Sequence, residues 1–451
     1  MARQPRSADH RWGEQTQRAI ENFPVSGDRI PPALIDALAM IKAESAAVNA
    51  EIGQLPSMIA DAIRQAAEEI LRGEMADQFP VDVFQTGSGT STNMNMNEVI
   101  ASRASEIAGQ AIHPNDHVNA AQSSNDTFPS AGRIAAVVQI THMLLPALQS
   151  LQRSLVELSE RHADTVKMAR THLMDAVPIT FGQEVSGWAR SVQLGSERLM
   201  AVLPRLAELP LGGTAVGTGL NAPNGFAAAV ADRLSGRTGC TFTEAANHFE
   251  AQSSQDAMVE AAAILKVVAL SLHKIAGDLR LLGSGPNGGL GELRLPALQA
   301  GSSIMPGKVN PVIPEMVQQV AAQVVGNDAT ITFAATLSTL QLSTAMPITA
   351  RSLLSSIHLL TSAATLLDTR CIRGIEVDEA RMRRNAEGSP AIVTALAPRI
   401  GYDAAARLVY QAQEQGASLQ DLIEAQDDDS SPSAGGDVLL SMTRQSSGIS
   451  R

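Results

Sequence analysis

Aromatic residues are scarce in this chain: Phe, Trp and Tyr make up 3% of its 451 residues. A core without rings must be built from aliphatic side chains and alanine, which favours helix packed on helix over a sheet sandwich. Cysteine is scarcer still. Cys240 and Cys371 are two thiols in all, too few for a disulfide framework or a cysteine metal site. They read as reduced residues of a cytoplasmic protein. The first ten residues, MARQPRSADH, lack the apolar core of a secretory signal, and no uninterrupted apolar run of bilayer length is evident. Positive charge is also in deficit. A formal net charge of −12 makes nucleic acid and anionic membranes poor partners, so an anionic substrate has to be drawn by a local positive site.

What is present is a soluble globular composition, 44% hydrophobic and 18% charged, in a chain long enough for two or three domains. Between Ile30 and Ala111 the apolar spacing predicts short amphipathic helices, with Ile35, Leu38, Ile41 and Ala43 on one stripe and Ile59, Ile63, Ala66 and Ile70 on another. Asp126 is a suitable cap for a longer helix whose stripe runs Ile134, Val137, Ile140, Leu144, Leu148, Leu151, Leu155 and Leu158, bent or broken at Pro146. Four further long helices are expected at roughly 182–203, 252–283, 315–345 and 349–370. Five such helices make an elongated bundle whose broad stripes call for association between subunits. Short helices follow through 378–424. The stretch 426–436, acidic and rich in Ser and Gly, reads as a mobile linker or tail.

Polar constellations interrupt these helices. Gly301-Ser302-Ser303-Ile304-Met305-Pro306-Gly307-Lys308-Val309-Asn310-Pro311 is a loop by its glycines and prolines, yet it carries two hydroxyls, a cation and a carboxamide. It is either a surface loop or an anion site, with backbone N–H groups and Lys308 facing one concavity. Gln85-Thr86-Gly87-Ser88-Gly89-Thr90-Ser91-Thr92-Asn93 precedes a helix, as an ordinary cap or an anion site. Ser123-Ser124-Asn125-Asp126 is a third cluster. His113-Pro114-Asn115-Asp116-His117 puts two histidines four apart, but Pro114 argues against a helix through them and no third metal ligand is nearby. His172, in Arg170-Thr171-His172-Leu173, is either structural or chemical. Glu315 suits a helix first turn, or pairs with a histidine as a charge relay.

The Gly301–Pro311 loop resembles the signature loop of the fumarase/aspartase superfamily. Gly87-Ser88-Gly89-Thr90, Ser123-Ser124-Asn125-Asp126, Ala169-Arg170-Thr171-His172-Leu173 and Gly212-Gly213-Thr214-Ala215-Val216-Gly217-Thr218-Gly219-Leu220-Asn221 stand in family order. Within the superfamily the chain most resembles class II fumarate hydratases. The resemblance implies a mainly α, three-domain fold: a helical domain over 1–121, a central long-helix bundle over 122–378 that joins a twenty-helix core in a homotetramer, and a small helical domain over 379–451.

The resemblance further implies hydration of fumarate to L-malate, without metal or organic cofactor, in sites shared by three subunits. By position, Ser302 removes the C3 proton of malate, and His172 paired with Glu315 relays protons at the other face. Ser88, Gly89, Thr90, Ser123, Ser124, Asn125, Thr171, Ser303, Lys308, Val309 and Asn310 surround the small dicarboxylate. His113, Pro114, Asn115 and Asp116 match a secondary dicarboxylate site. The alternative is an ammonia-lyase acting on aspartate or another substituted succinate, because Leu337-Ser338-Thr339-Leu340-Gln341-Leu342-Ser343 is closer to the aspartase form. A non-catalytic relative is a third reading, opposed by the joint presence of Ser302, His172, Lys308, Asn310 and Glu315. A nucleotide-binding P-loop fails on the spacing from Gly301 to Lys308.

Overall fold

The helix Pro32–Glu51 is buried through most of its length, with Lys42, Glu44, Ser45 and Asn49 among its buried residues. In the computed structural model, which describes residues 10–389, 393, 401–416, 422, 439, 440 and 443, it packs against Ser57–Leu71, Ser124–Gln139 and Phe226–Thr238. The expected stripe through Ile35, Leu38 and Ile41 is therefore too narrow a description. Alanines at 37, 39, 43, 46 and 47 are also buried, which lets neighbours close in on all faces. The helices over this part of the chain run to 20 residues and are not uniformly short. Ser57–Leu71 does keep a single inward stripe, with Ile59, Ile63, Ala66 and Ile70 buried.

Contacts divide the chain into two units. The first comprises residues 1–146, 195–269 and 320–362. Besides the helices above it holds Thr90–Ala108, a parallel pair of two-residue strands at Glu208–Leu209 and Thr243–Glu244, and a hairpin of Ser338–Thr339 with Leu342–Ser343. The second comprises 147–194, 270–319 and 363–451. It carries the antiparallel hairpin Val166–Thr171/Met174–Thr180, the strand pair Leu293–Arg294 and Glu376–Val377, and the helices Glu379–Glu387 and Tyr402–Gln415. Val166 and Met168 share a small core there with Ala386, Ala405 and Leu408. The few aromatic rings are used locally: Trp188 stands edge-on to Phe181 at 6.1 Å between ring centres and donates its indole N–H to Asp278 (3.0 Å).

The five long helical runs are Ser124–Arg161, Phe181–Leu206, Asp256–Leu282, Val312–Ala335 and Met346–Arg370. Every residue of the stripe from Ile134 to Leu158 is buried. Pro146 does not break that helix; a π-helical turn at Ile140–Leu144, closed by Leu145 N–H on Ile140 C=O, stands just before it. This run is long and apolar enough to cross a bilayer by length and composition, contrary to expectation, but more than half of its most apolar window is buried inside the protein. The expected helix over 252–283 is two elements: Asn247 caps His248–Ser253, Ser254 is extended, and Asp256–Leu282 follows. The expected helix over 315–345 stops at Ala335. Apolar spacing continues, but the hydroxyls of Thr336 and Thr344 bond to the carbonyls of Phe333 (2.6 Å) and Leu337 (2.9 Å), and Leu340 turns at φ +54° into the hairpin. The stretch 426–436, read from sequence as a linker or tail, lies outside the described residues.

Candidate active site

In the first unit, Gly89 precedes the helix Thr90–Ala108 with φ +74°. A Cβ there would meet the Phe128 ring at 2.3 Å, so only glycine fits. The turn sets the Ser88 and Thr90 hydroxyls 2.7 Å apart at the helix start. Ser123, not Asp126, is the N-cap of Ser124–Gln139: Asn125 N–H donates to its hydroxyl (3.2 Å), and Asp126 reaches back to Ser123 N–H (2.9 Å). Asp126 is fully buried. Its second oxygen accepts from the N–H groups of Gly212 (3.0 Å) and Thr214 (2.9 Å), and Asn125 donates to Ala215 C=O (2.8 Å). One carboxylate thus joins the Ser123–Asn125 turn to the Gly212–Asn221 loop. Burial pushes it up to about 6, against the pull of those N–H donors. Ser123, Ser124 and Asn125 remain partly exposed.

The residues 113–117 also lie in this unit. Pro114 does not prevent a helical turn, because it occupies the first helical position, where its missing N–H costs nothing. Asp116 N–H donates to His113 Nδ1 (3.1 Å), and His113 N–H donates to His117 Nδ1 (2.9 Å).

In the second unit, the signature loop closes on itself. Gly301 N–H donates to Lys308 C=O (3.0 Å), and the Asn310 amide donates to Gly301 C=O (2.9 Å). A Cβ on Gly301 would lie 2.3 Å from that Lys308 oxygen. Inside the loop the Ser302 hydroxyl oxygen accepts two backbone N–H groups, from Ile304 and Met305, each at 3.2 Å. Ser303, Lys308 and Val309 are exposed. Pro306 to Pro311 line one side of a cleft of ≈ 970 Å³ that also takes in Arg280, Arg294, Arg381 and Glu315. Glu315 lies 3.9 Å from Arg280.

Thr171 and His172 sit at the exposed tip of the hairpin Val166–Thr171/Met174–Thr180, where His172 and Leu173 both have positive φ (57° and 62°). Among the described residues no hydrogen bond or ion pair joins His172 to Glu315. Beneath the tip lies a charge network that the sequence did not single out. Arg170 grips Glu292 with both guanidinium nitrogens (2.6 and 3.2 Å), Asn385 donates to the same carboxylate (2.9 Å), and Lys167 stands 3.4 Å from it while bonding Glu184 (2.5 Å). Glu292 and Lys167 are essentially buried. Burial works to raise the Glu292 carboxyl, but Arg170, Lys167 and Asn385 outweigh it and hold it below the ordinary range. The only hint in the sequence is that Lys167 and Arg170 precede a histidine motif.

A family model described as a lyase matches residues 3–326, and one described as the fumarase C C-terminus matches 392–429. The chain is 51% identical to class II fumarate hydratase of Corynebacterium glutamicum, over 91% of this chain and 87% of that one. It is 52% identical to class II fumarate hydratase of Mycobacterium tuberculosis, with the same coverage. Among solved structures, class II fumarase from Schistosoma mansoni superposes with a TM-score of 0.90 at 37% identity, covering 93% of each chain. A cobalt-bound fumarate lyase:delta crystallin from Brucella melitensis also gives 0.90, at 43% identity, over 97% of this chain and 96% of that one. The chain belongs to the class II fumarate hydratases, a family of hydro-lyases.

Proposed function

We propose that the reversible hydration of fumarate to L-malate is carried out here by Ser302 as base and His172 as proton relay. In the dehydration direction the Ser302 alkoxide takes the C3 proton of malate, and the electron pair spreads into the adjacent carboxylate as an aci-carboxylate. The C2–O bond then breaks, and the departing hydroxide is protonated from His172, directly or through a water. What supports the serine assignment is the pair of N–H groups directed at its Oγ. A serine hydroxyl is a poor base at its ordinary proton affinity, and donors aimed at the oxygen favour the alkoxide. Lys308 adds positive charge from the same loop. Ser88, Gly89, Thr90, Ser123, Ser124, Asn125, Thr171, Ser303, Val309 and Asn310 complete the dicarboxylate pocket, and His113, Pro114, Asn115 and Asp116 form a secondary dicarboxylate site.

The pocket is assembled in a cytoplasmic homotetramer, with three subunits contributing to each site and Glu315 meeting His172 across a subunit boundary. Uncovered apolar side chains support this assembly. Phe333 is 70% exposed, Leu270 50%, and Ile304 beside Ser302 83%, an arrangement that a lone chain in water disfavours. The three divisions 1–121, 122–378 and 379–451 are then the working parts of the subunit.

The test is direct. Fumarate's conjugated double bond absorbs in the ultraviolet, whereas malate and aspartate lack it. Purified protein should generate that absorbance from L-malate and none from aspartate. Absorbance from aspartate alone would make the chain an ammonia-lyase. Light scattering should report a tetramer.

A further inference from the structure

We propose that Lys42 is a positioning residue that fixes the direction in which the Ser124 hydroxyl donates its proton. The inference rests on Ser124 being a carboxylate-binding residue.

Lys42 lies in the buried helix Pro32–Glu51 and is 0% exposed. Its amine donates to Asn119 Oδ1 and to Gln122 Oε1, each at 2.9 Å. Burial lowers its proton affinity to about 7, opposed by the charge of Asp126. An ammonium has three N–H donors and no acceptor, and even the neutral amine keeps two donors, so both bonds persist in either state.

The consequence travels along a chain of amides. Because the Lys42 ammonium has no lone pair and can only donate, the Asn119 atom facing it in that state is the carbonyl oxygen. That orientation is reinforced at the other end, where Asn119 Nδ2 donates to Gln122 C=O (3.1 Å). The same Asn119 oxygen lies 3.2 Å from Asn93 Nδ2, which must therefore be the donating end of the Asn93 amide. Asn93 Nδ2 is also 3.2 Å from Ser124 Oγ. Ser124 thus accepts from within the protein, and its own proton is left to donate outward from a partly exposed helix start.

The opposite arrangement is sterically available. Rotating both amides would aim Asn93 Oδ1 at Ser124 and draw the hydroxyl proton inward. Asn93 is fully buried, and its Oδ1 has no hydrogen-bond partner among the described residues, so nothing at Asn93 itself holds the amide the right way round. The Lys42 ammonium, together with the Gln122 carbonyl on the other side of Asn119, does so from two residues away. A carboxylate ligand accepts hydrogen bonds and cannot give them, so a Ser124 turned inward loses its contact.

The experiment is a double-mutant cycle between residues that do not touch. Lys42→Met keeps the length of the side chain and removes every donor. It is expected to raise KM for L-malate about tenfold, the worth of one hydrogen bond to a charged group, with kcat little changed. Ser124→Ala is expected to raise KM by a similar factor, and the double variant to be no worse than Ser124→Ala alone. Multiplying effects in the double variant would mean that Lys42 only supports the fold, and would overturn the proposal. An unchanged KM in Lys42→Met with a raised KM in Ser124→Ala would overturn it while leaving the role of Ser124 intact. An unchanged KM in Ser124→Ala would remove both. Asn93→Leu breaks the next link without touching the lysine and carries the same expectation if Lys42→Met does not yield folded protein.

Discussion

The turn at Ser123–Asn125 and the loop at Gly301–Asn310 hold their hydroxyls by opposite means. The first is tied to buried structure: Asp126 gathers backbone N–H groups from two segments, and Asn93, Asn119 and Lys42 stand beneath it. The second is bonded mainly to itself among the described residues, and most of its side chains face solvent. Even their positive-φ glycines differ. Gly89, beside the first, is pressed against Phe128, whereas Gly307 in the second has nothing within 4 Å of where a Cβ would stand. Neutral donors that recognise a substrate gain from being preset by a rigid core, because no ordering is then left for binding. A reactive group that has to open and close gains from a loop with few ties to its surroundings.

The sharpest test of the contrast is catalytic. Ser302→Ala and His172→Asn should each lower kcat by about 10²–10⁴, the usual worth of a general acid or base, with the melting temperature unchanged, since both side chains leave the core untouched. Near-normal turnover in either variant would take that residue out of its role. Glu292→Gln, beneath the His172 hairpin, should lose about 3 kcal/mol in denaturant unfolding, because Arg170 loses its paired carboxylate and Lys167 keeps only Glu184. The pH dependence has a definite sign. A carboxyl held below its ordinary 4.5 contributes stability above that value and loses it as pH falls through the depressed one, so the variant should show a flatter acid limb than the parent. The glycines give the smallest effects and the cleanest comparison. Gly89→Ala should cost about 2 kcal/mol, from strain and the ring contact together. Gly307→Ala should cost about 1 kcal/mol, from its left-handed backbone alone. Equal losses at the two positions would erase the distinction.

Much of this was legible in the chain itself. The 3.6-residue stripe from Ile134 to Leu158 gave a core helix, and the Gly-Ser loops gave both the family and the residues to test. The ends of elements were less legible. The Ser254 hydroxyl, which accepts from Asp256 N–H, and the Thr336 hydroxyl, which donates to Phe333 C=O, stand at element ends that apolar spacing does not register, and Pro114 is harmless only because of where the turn begins. Least legible were Lys42, Asp126 and Glu292. A buried charge is indistinguishable from a solvated one until its surroundings are known, and each of these takes partners from 77 or more positions away, where no local pattern points.

The closed neck of the signature loop constrains how it can travel. With Gly301 bonded to both Lys308 and Asn310, the residues between them form a stiff paddle, and any swing must be taken up by the chain before Gly301 and after Asn310. Deuterium uptake should therefore be slow at the Gly301 amide and fast at Gly307, whose backbone lies at the free rim.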